Sequence, residues 1–140
     1  EFTPLADDRY VAACRHDHPL ARKTHLSWQA YFEQDYIGLD RVSGNRTLLD
    51  RELAHLTPAR PSICETRHVT TMLGMVEAGI GIAAVPAMSM PAGEHSVLRA
   101  VPLTDPVVTR TVGLIRLSGR IQSYVAAELE KLIIEQYPSG

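Results

Sequence analysis

The stretch TTMLGMVEAGIGIAAVP, residues 70–86, decides the fold class. Its first half places Met72, Leu73 and Val76 at the spacing of one apolar helix face. Gly79 follows where a helix commonly ends, because glycine adopts the left-handed conformation of a helix C-terminus without steric cost. The uninterrupted apolar run that then leads to Pro86 is typical of a strand covered on both faces. A helix followed by such a strand predicts an α/β sheet, with Ile80–Val85 as a central parallel strand.

The same alternation extends in both directions along the chain. Apolar runs rich in β-forming residues predict strands at residues 9–15, 36–39, 62–65, 97–103 and 109–117. Helical spacing predicts a short helix after Ser27, a helix over Arg46–Leu56 and a last helix capped by Ser123. The last helix carries an apolar stripe of Val125, Leu129, Leu132 and Ile133. Helices between successive strands indicate crossover connections, and therefore a parallel sheet with helices on both faces.

Composition excludes several classes of protein. The chain has 140 residues, of which 45% are hydrophobic and 21% charged, as in a globular domain rather than a disordered segment. A net charge of -2 gives no general electrostatic reason to bind nucleic acid or an anionic membrane. No apolar run is long enough to span a bilayer, and the first residues lack the pattern of a signal peptide. Two isolated cysteines fit a reducing compartment, so we expect a cytoplasmic protein.

Four segments, taken in order, resemble the effector-binding domain of LysR-type transcriptional regulators. They are PLADDRYVAACRHDHPLA at residues 4–21, GNRTLLDREL at 44–53, MVEAGIGIAAVP at 75–86, and DPVVTRTVGLIR at 105–116, which is followed by GRIQS. The likeness covers nearly the whole chain. It implies an α/β fold of the periplasmic-binding-protein-like type 2 class, in which two subdomains are joined by two crossover strands.

The resemblance also implies a domain organisation. Residues 17–107 correspond to a complete regulatory subdomain II, whereas residues 1–16 and 108–140 supply the crossover strands and a C-terminal helix that belongs to subdomain I. The winged helix-turn-helix of the family and the first part of subdomain I have no counterpart in this sequence. We therefore expect the chain to be a fragment of a regulator, which binds DNA only through a domain outside this chain.

The first candidate effector site is the segment RVSGNRT, which follows the predicted strand 36–39. In an open α/β sheet, ligands bind beyond the carboxyl ends of strands, where loops lead into helix N-termini. Ser43, Gly44 and Asn45 offer a hydroxyl, an amide and backbone N–H groups, and Arg46 begins the helix. The positive end of the helix dipole favours an anion there. The alternative is that Ser43 or Asn45 only caps the helix.

The second candidate is the segment TRHVT, which follows the next strand. Arg67 and His68 occupy the equivalent topological position and are expected to open toward the same cleft. The alternative is that both are solvated loop residues near a helix cap.

The sequence offers no comparable case for a metal, a cofactor or catalysis. His16 and His18 are alternate residues of an extended segment, so they point to opposite sides and do not form a metal pair. The four methionines are interpreted as core and loop residues. No nucleophile elbow, P-loop or dinucleotide fingerprint is present, which argues against an enzyme.

The favoured function is therefore sensing of a small, anionic metabolite by a regulator that forms a homo-oligomer. Two alternatives stay open. In the first alternative, the chain is a lobe of a periplasmic-type solute-binding protein, a class that shares the two-lobed architecture. In the second, it is an α/β enzyme with an unrecognised site.

Overall fold

The computed structural model describes residues 1–93 and 96–137. Within these residues the strands are β1 Phe2–Arg15, β2 Leu26–Ser27, β3 Tyr36–Leu39, β4 Cys64–Thr66, β5 Ile82–Pro86, β6 Leu98–Thr104 and β7 Thr109–Ile115. The helices are α1 Trp28–Phe32, α2 Gly44–Glu52, α3 Val69–Glu77 and α4 Tyr124–Gln136, with short 3-10 helices at Pro19–Arg22 and Ala87–Ser89. No helix in these ranges is long and apolar enough to cross a membrane.

The chain divides into two compact units. The larger unit is Arg9–Val108, and the smaller unit combines Glu1–Asp8 with Thr109–Gly140. Both units use part of the long strand β1, which the sequence predicted only over residues 9–15.

The larger unit is built on a sheet with the strand order β2-β6-β1-β5-β3-β4. The pairs β2–β6, β5–β3 and β3–β4 are parallel, as the helix-strand alternation predicts. The prediction of a wholly parallel sheet is wrong, because β1 runs antiparallel to both of its neighbours, β5 and β6. An antiparallel neighbour needs no helical crossover, so the alternation of helices and strands carries no signal for it.

Strand β5 begins two residues later than predicted, at Ile82. Gly79 has φ of 82° and ends α3, as the sequence indicated. At Gly81 a Cβ atom would lie 2.6 Å from the carbonyl oxygen of Asp35, so only glycine allows this approach. The N–H of Ile82 then donates to the same oxygen at 3.0 Å, and the strand starts there. Ile80 is left 46% exposed.

Two apolar clusters cover the two faces of this sheet. One contains Ile82 and Ala84 of β5 together with Trp28 and Tyr31 of α1, and leucines of α2 pack against it. The other contains Ala83 and Val85 of β5, and residues of α3. Successive strand residues point to opposite faces, so burial of every residue of β5 requires both clusters. The prediction that the apolar run before Pro86 is a strand covered on both faces is confirmed.

Helix α2 is shorter than the predicted Arg46–Leu56. It ends at Glu52, and Leu53 leaves the helical conformation with φ of -107° while staying buried. Tight turns follow, in which the N–H of Leu56 donates to the carbonyl of Leu53 at 2.9 Å. Leucine periodicity over these residues reflects burial of turn residues rather than continuation of the helix.

In the smaller unit β7 pairs with β1, and the buried carboxylate of Asp8 bonds the guanidinium of Arg110 at 3.1 Å. Ser123 caps α4 as predicted, its Oγ accepting from the N–H of Ala126 at 3.3 Å. The predicted apolar stripe of α4 is divided. Ile133 and Leu129 line a hollow with Thr3 and Leu114, although Leu129 stays 57% exposed, and Val125 and Leu132 are exposed outside the hollow.

Candidate functional site

The segments that follow β3 and β4 lie side by side. The two strands are parallel, with Leu39 opposite Thr66, so both end at the same edge of the sheet. The N–H of Asp40 donates to the carbonyl of Thr66 at 3.0 Å. One residue further, Nε of Arg67 lies 3.3 Å from Oδ2 of Asp40. The structure therefore brings Arg67 beside the segment that leads to Ser43.

The first turn of α2 presents unused donors at this edge. Ser43 occupies the N-cap position with extended backbone angles, but its side chain makes no capping bond. No hydrogen bond is found for the Ser43 hydroxyl or for the N–H groups of Gly44 and Arg46 within the part of the chain that the structure describes. Gly44 is exposed, and a Cβ atom placed on it would meet nothing within 4 Å, so the space beside this residue is open. Such donors at a helix start attract an anion.

Asn45 differs from its neighbours because its side chain is engaged. Its Oδ1 accepts a hydrogen bond of 2.8 Å from the hydroxyl of Tyr10, a fully buried residue of β1. Sequence reasoning missed Tyr10, since nothing in a strand pattern tells which loop its hydroxyl reaches. Asn45 therefore has a structural contact in addition to its predicted ligand role.

Arg46 is held in place by three acceptors. Its Nε lies 2.8 Å from Oδ1 of Asp50, and its Nη1 donates to the carbonyl of Leu39 at 2.7 Å. The same Nη1 lies 3.4 Å from Oε1 of Glu65. These bonds join α2 to the ends of β3 and β4. The side chain predicted to bind effector thus serves as a positioning group for the edge of the sheet.

Asp40 is the central residue that sequence reasoning did not select. Its Oδ1 accepts from the N–H of Val42 at 3.2 Å, which closes a turn, and its Oδ2 faces Arg67. An aspartate that follows a strand three residues before a serine-glycine pair is a recognisable Asx-turn signal. That signal was available in the sequence.

His68 lies further from this group. It is the N-cap residue of α3, where its carbonyl accepts from the N–H of Met72 at 3.0 Å, and its side chain makes no capping bond. The ring is exposed, and in the described ranges it makes no hydrogen bond with the other predicted site residues. The residues described also contain no group of three histidine, cysteine, aspartate or glutamate side chains placed to hold a metal ion.

Comparison with known proteins gives the family. Residues 1–138 match the family described as LysR substrate binding domain. The chain belongs to this family. It is 41% identical over 134 residues to the HTH-type transcriptional regulator YbhD of Escherichia coli (strain K12), covering 96% of this chain and 42% of that protein. It is 33% identical over 132 residues to YfeR of Shigella flexneri, covering 94% of this chain and again 42% of the relative. The chain thus spans less than half the length of these relatives.

Solved structures of LysR-type regulatory domains share the fold. The regulatory domain of CcmR from Synechocystis PCC6803, in complex with 2-PG, has a TM-score of 0.82 at 18% identity, covering 99% of this chain and 67% of that one. The effector binding domain of QuiR, in complex with shikimate, has a TM-score of 0.78 at 23% identity, covering 98% and 65% respectively. The expected fold class, the type 2 periplasmic-binding-protein-like regulatory domain, is confirmed.

Proposed function

We propose that this chain binds a small anionic effector at the edge formed by Ser43, Gly44 and Arg67, and that it does so as part of a LysR-type transcriptional regulator. The observation that carries the proposal is that the Ser43 hydroxyl makes no capping bond at the start of α2, while Arg67 is held by Asp40 of the same loop. Family membership makes effector sensing the role to test first. The structural relatives QuiR and CcmR are described in complex with shikimate and 2-PG.

The charges at this edge support an anion rather than a cation. Among the residues that the structure describes, Arg67 bonds Asp40 through Nε, and its side chain is 69% exposed, so its Nη groups are available to a ligand. Carboxylate and phosphate groups match the planar fork of a guanidinium. Asp40 carries the opposing charge, and it orients Arg67 by holding Nε. An incoming carboxylate would then accept from the Nη groups, the Ser43 hydroxyl and the N–H of Gly44.

The proposal is tested first by a screen. Metabolites that carry carboxylate or phosphate groups, including shikimate, are added to the complete regulator and its thermal unfolding is followed. A ligand at 100 times its Kd raises the stability of the folded state by about 2.7 kcal/mol. The strongest stabiliser is then titrated by calorimetry against wild type and against the double variant Ser43→Ala, Arg67→Gln.

We expect the double variant to bind about tenfold more weakly or worse, since each lost charge-assisted bond contributes about 1.5–3 kcal/mol. Arg51→Gln is the matched control, because Arg51 is an equally exposed arginine paired with a neighbouring carboxylate away from this edge. Unchanged affinity in the double variant would leave Ser43 and Arg67 as ordinary loop residues and defeat the proposal.

We also propose the domain organisation and the division of roles that the family resemblance implies. Residues 17–107 are assigned to regulatory subdomain II, and residues 1–16 and 108–140 to the crossover strands and a helix of subdomain I. DNA is contacted by another domain of the regulator, and the protein senses rather than catalyses. A secretory signal in the upstream reading frame, in place of a helix-turn-helix, would favour the solute-binding alternative.

We also propose that α4 mediates self-association. Val125, Leu129 and Leu132 recur on one side of α4 and are 75%, 57% and 58% exposed. Contiguous exposed apolar surface of this kind usually marks an interface. Sedimentation of the 140-residue chain is expected to show association that Leu129→Glu reduces, with Lys131→Glu as control. A monomer at every concentration would contradict this assignment.

A further inference from the structure

A cavity of about 580 Å³ lies beneath α2 in the larger unit, and of the first residues of that helix only Arg46 lines it. Its apolar wall is made by α1, by the strand faces below α2 and by leucines of α2 and the following turns, namely Trp28, Tyr31, Phe32, Tyr36, Leu49, Leu53 and Leu56. A volume of this size falls in the range of pockets for small molecules, roughly 300–1,000 Å³.

The sequence explains why the space is not filled. Tyr36 and Gly38 are alternate residues of β3 and share the face that lies under α2. Gly38 has no side chain, and a Cβ atom there would lie 3.1 Å from Oγ of Ser62, so only small groups fit on this part of the wall. Ala84 of β5 contributes only a methyl group to the same wall. Helix α2 ends at Glu52, so the turns that follow arch over the gap instead of packing into it.

The aromatic residues of the wall pack against one another, which makes the wall rigid. Trp28 and Tyr31 meet edge to face with ring centroids 5.6 Å apart, and Tyr31 and Tyr36 lie 5.2 Å apart. Phe32 and Tyr36 meet edge to face at 5.4 Å. Ordered rings of this kind suit a planar partner, because offset and edge-to-face contacts are favourable.

The buried hydroxyl of Tyr31 has one hydrogen-bond partner and can make a second bond. The hydroxyl oxygen of Tyr31 accepts from the N–H of Ala84 at 2.9 Å, and in the described part of the chain its own proton has no acceptor. Burial raises the pKa of Tyr31, so the hydroxyl remains protonated and able to donate. Both Tyr31 and Ala84 belong to the cavity wall.

The charged residues at the cavity do not favour an ionic ligand. Arg46 and Arg60 are balanced by Asp50 and Glu65, which also line the cavity. Arg46 is bonded to both of these carboxylates, and Arg60 lies 3.0 Å from Asp35. No unpaired charge is left there to compensate for the desolvation of an ion.

We propose that this cavity is a second ligand site, which takes a flat, uncharged aromatic molecule bearing one hydrogen-bond acceptor for Tyr31. The site shares only Arg46 with the predicted effector residues and does not depend on the effector proposal. A molecule seated here contacts Leu49 and Leu53, and therefore supports the inner face of the helix whose first turn forms the other site.

The test uses 2-naphthol as probe and Trp28 as reporter. Trp28 is the single tryptophan of the chain, so its indole N–H gives one assigned NMR signal. A saturable shift of that signal is expected, with one equivalent bound. The anion of the same shape, 2-naphthoate, is expected to bind about tenfold more weakly or worse, because the cavity offers no free positive charge.

Leu49→Phe tests the location by filling the cavity from α2, and should weaken 2-naphthol binding by about tenfold or more. Leu48→Phe adds the same group on the same helix outside the cavity lining, and should change the affinity by less than about threefold. The variant Ser43→Ala, Arg67→Gln should retain 2-naphthol binding in full. Circular dichroism melting establishes that each variant is folded, and Ala54→Phe, at an exposed cavity position, replaces Leu49→Phe if that variant unfolds.

Three results would overturn the proposal. One is the absence of a saturable shift up to the solubility of 2-naphthol. Another is equal affinity in folded wild type and Leu49→Phe, which would place the probe on exposed apolar surface elsewhere. The third is tighter binding of 2-naphthoate than of 2-naphthol.

Discussion

The hydroxyl of Tyr10 donates a 2.8 Å hydrogen bond to Oδ1 of Asn45, and so joins the central strand β1 to the first turn of α2. Tyr10 is fully buried in the larger unit. The contact spans 35 positions of sequence and fixes where the helix begins relative to the sheet. Asn45 is therefore a poor position at which to test effector binding alone, because its replacement also changes the helix anchor.

We expect Tyr10→Phe and Asn45→Ala each to lower the free energy of unfolding by about 1 kcal/mol, the typical net contribution of such a bond. The double variant should lose little more than the larger single loss, because both changes remove the same interaction. Urea unfolding followed by circular dichroism measures all three values. Tyr124→Phe, on an 80% exposed tyrosine, is the control and should cost nothing. Additive losses would show that the bond contributes no coupling.

The two serines that precede α1 and α2 separate capping from ligand binding. Ser27 Oγ accepts from the N–H of Ala30 at 3.1 Å, whereas Ser43 makes no such bond. Ser27→Ala should therefore lower stability by about 1 kcal/mol, and Ser43→Ala should leave it unchanged within about 0.3 kcal/mol. Denaturant titration of both variants decides between the two interpretations of Ser43. A loss at Ser43 equal to that at Ser27 would identify Ser43 as a cap.

Features set by neighbouring residues were predictable from the sequence. Gly79 ends α3 and the run before Pro86 is a doubly covered strand, because a helix stop and continuous burial are both local signals. The direction of β1 was not predictable. Residues 2–8 of that strand include a proline and two aspartates, and the strand also pairs with β7 about 100 positions away, where Asp8 meets Arg110. Only the folded chain shows that pairing.

The sequence predicted which loops form the candidate site, but not which of their side chains are already hydrogen-bonded. Topology alone places the segments after β3 and β4 together, and the structure does bring Arg67 to Asp40. Which side chains are already occupied depends on distances that no pattern encodes. Arg46 is bonded to Asp50 and Glu65, while Ser43 makes no capping bond. The cavity under α2 was missed because it depends on where α2 ends and on how the following turns pack, which no periodicity encodes.

Arg46 is expected to contribute to stability rather than to effector affinity. Its side chain is 28% exposed and bonds a backbone carbonyl as well as two carboxylates. Arg46→Gln should cost about 1–2 kcal/mol, because it leaves acceptors at the ends of β3 and β4 without their partner. Arg51→Gln is the matched change on the same helix, at a 73% exposed residue paired with adjacent Glu52. It should cost less than about 0.5 kcal/mol. If both variants lose the same small amount of stability and Arg46→Gln also binds effector more weakly, Arg46 would be an effector-binding residue.

The two cysteines should differ sharply in reactivity. Cys14 lies on β1 opposite Arg99 of β6 and is fully buried, and burial raises the pKa of its thiol although Arg99 opposes the shift. A raised pKa means less thiolate at any given pH, and the thiolate is the species that iodoacetamide attacks. At pH 8 we therefore expect Cys64, which is partly exposed, to be labelled first, and Cys14 to be labelled only when the chain opens.

Mass spectrometry of the Cys64→Ser variant follows the labelling of Cys14 alone, and the same variant in denaturing urea gives the labelling rate of unprotected Cys14. Labelling of native Cys14 at the denatured rate would show that β1 is not held between β5 and β6. Protection that is lost together with the circular dichroism signal would show that the central strand opens only on global unfolding.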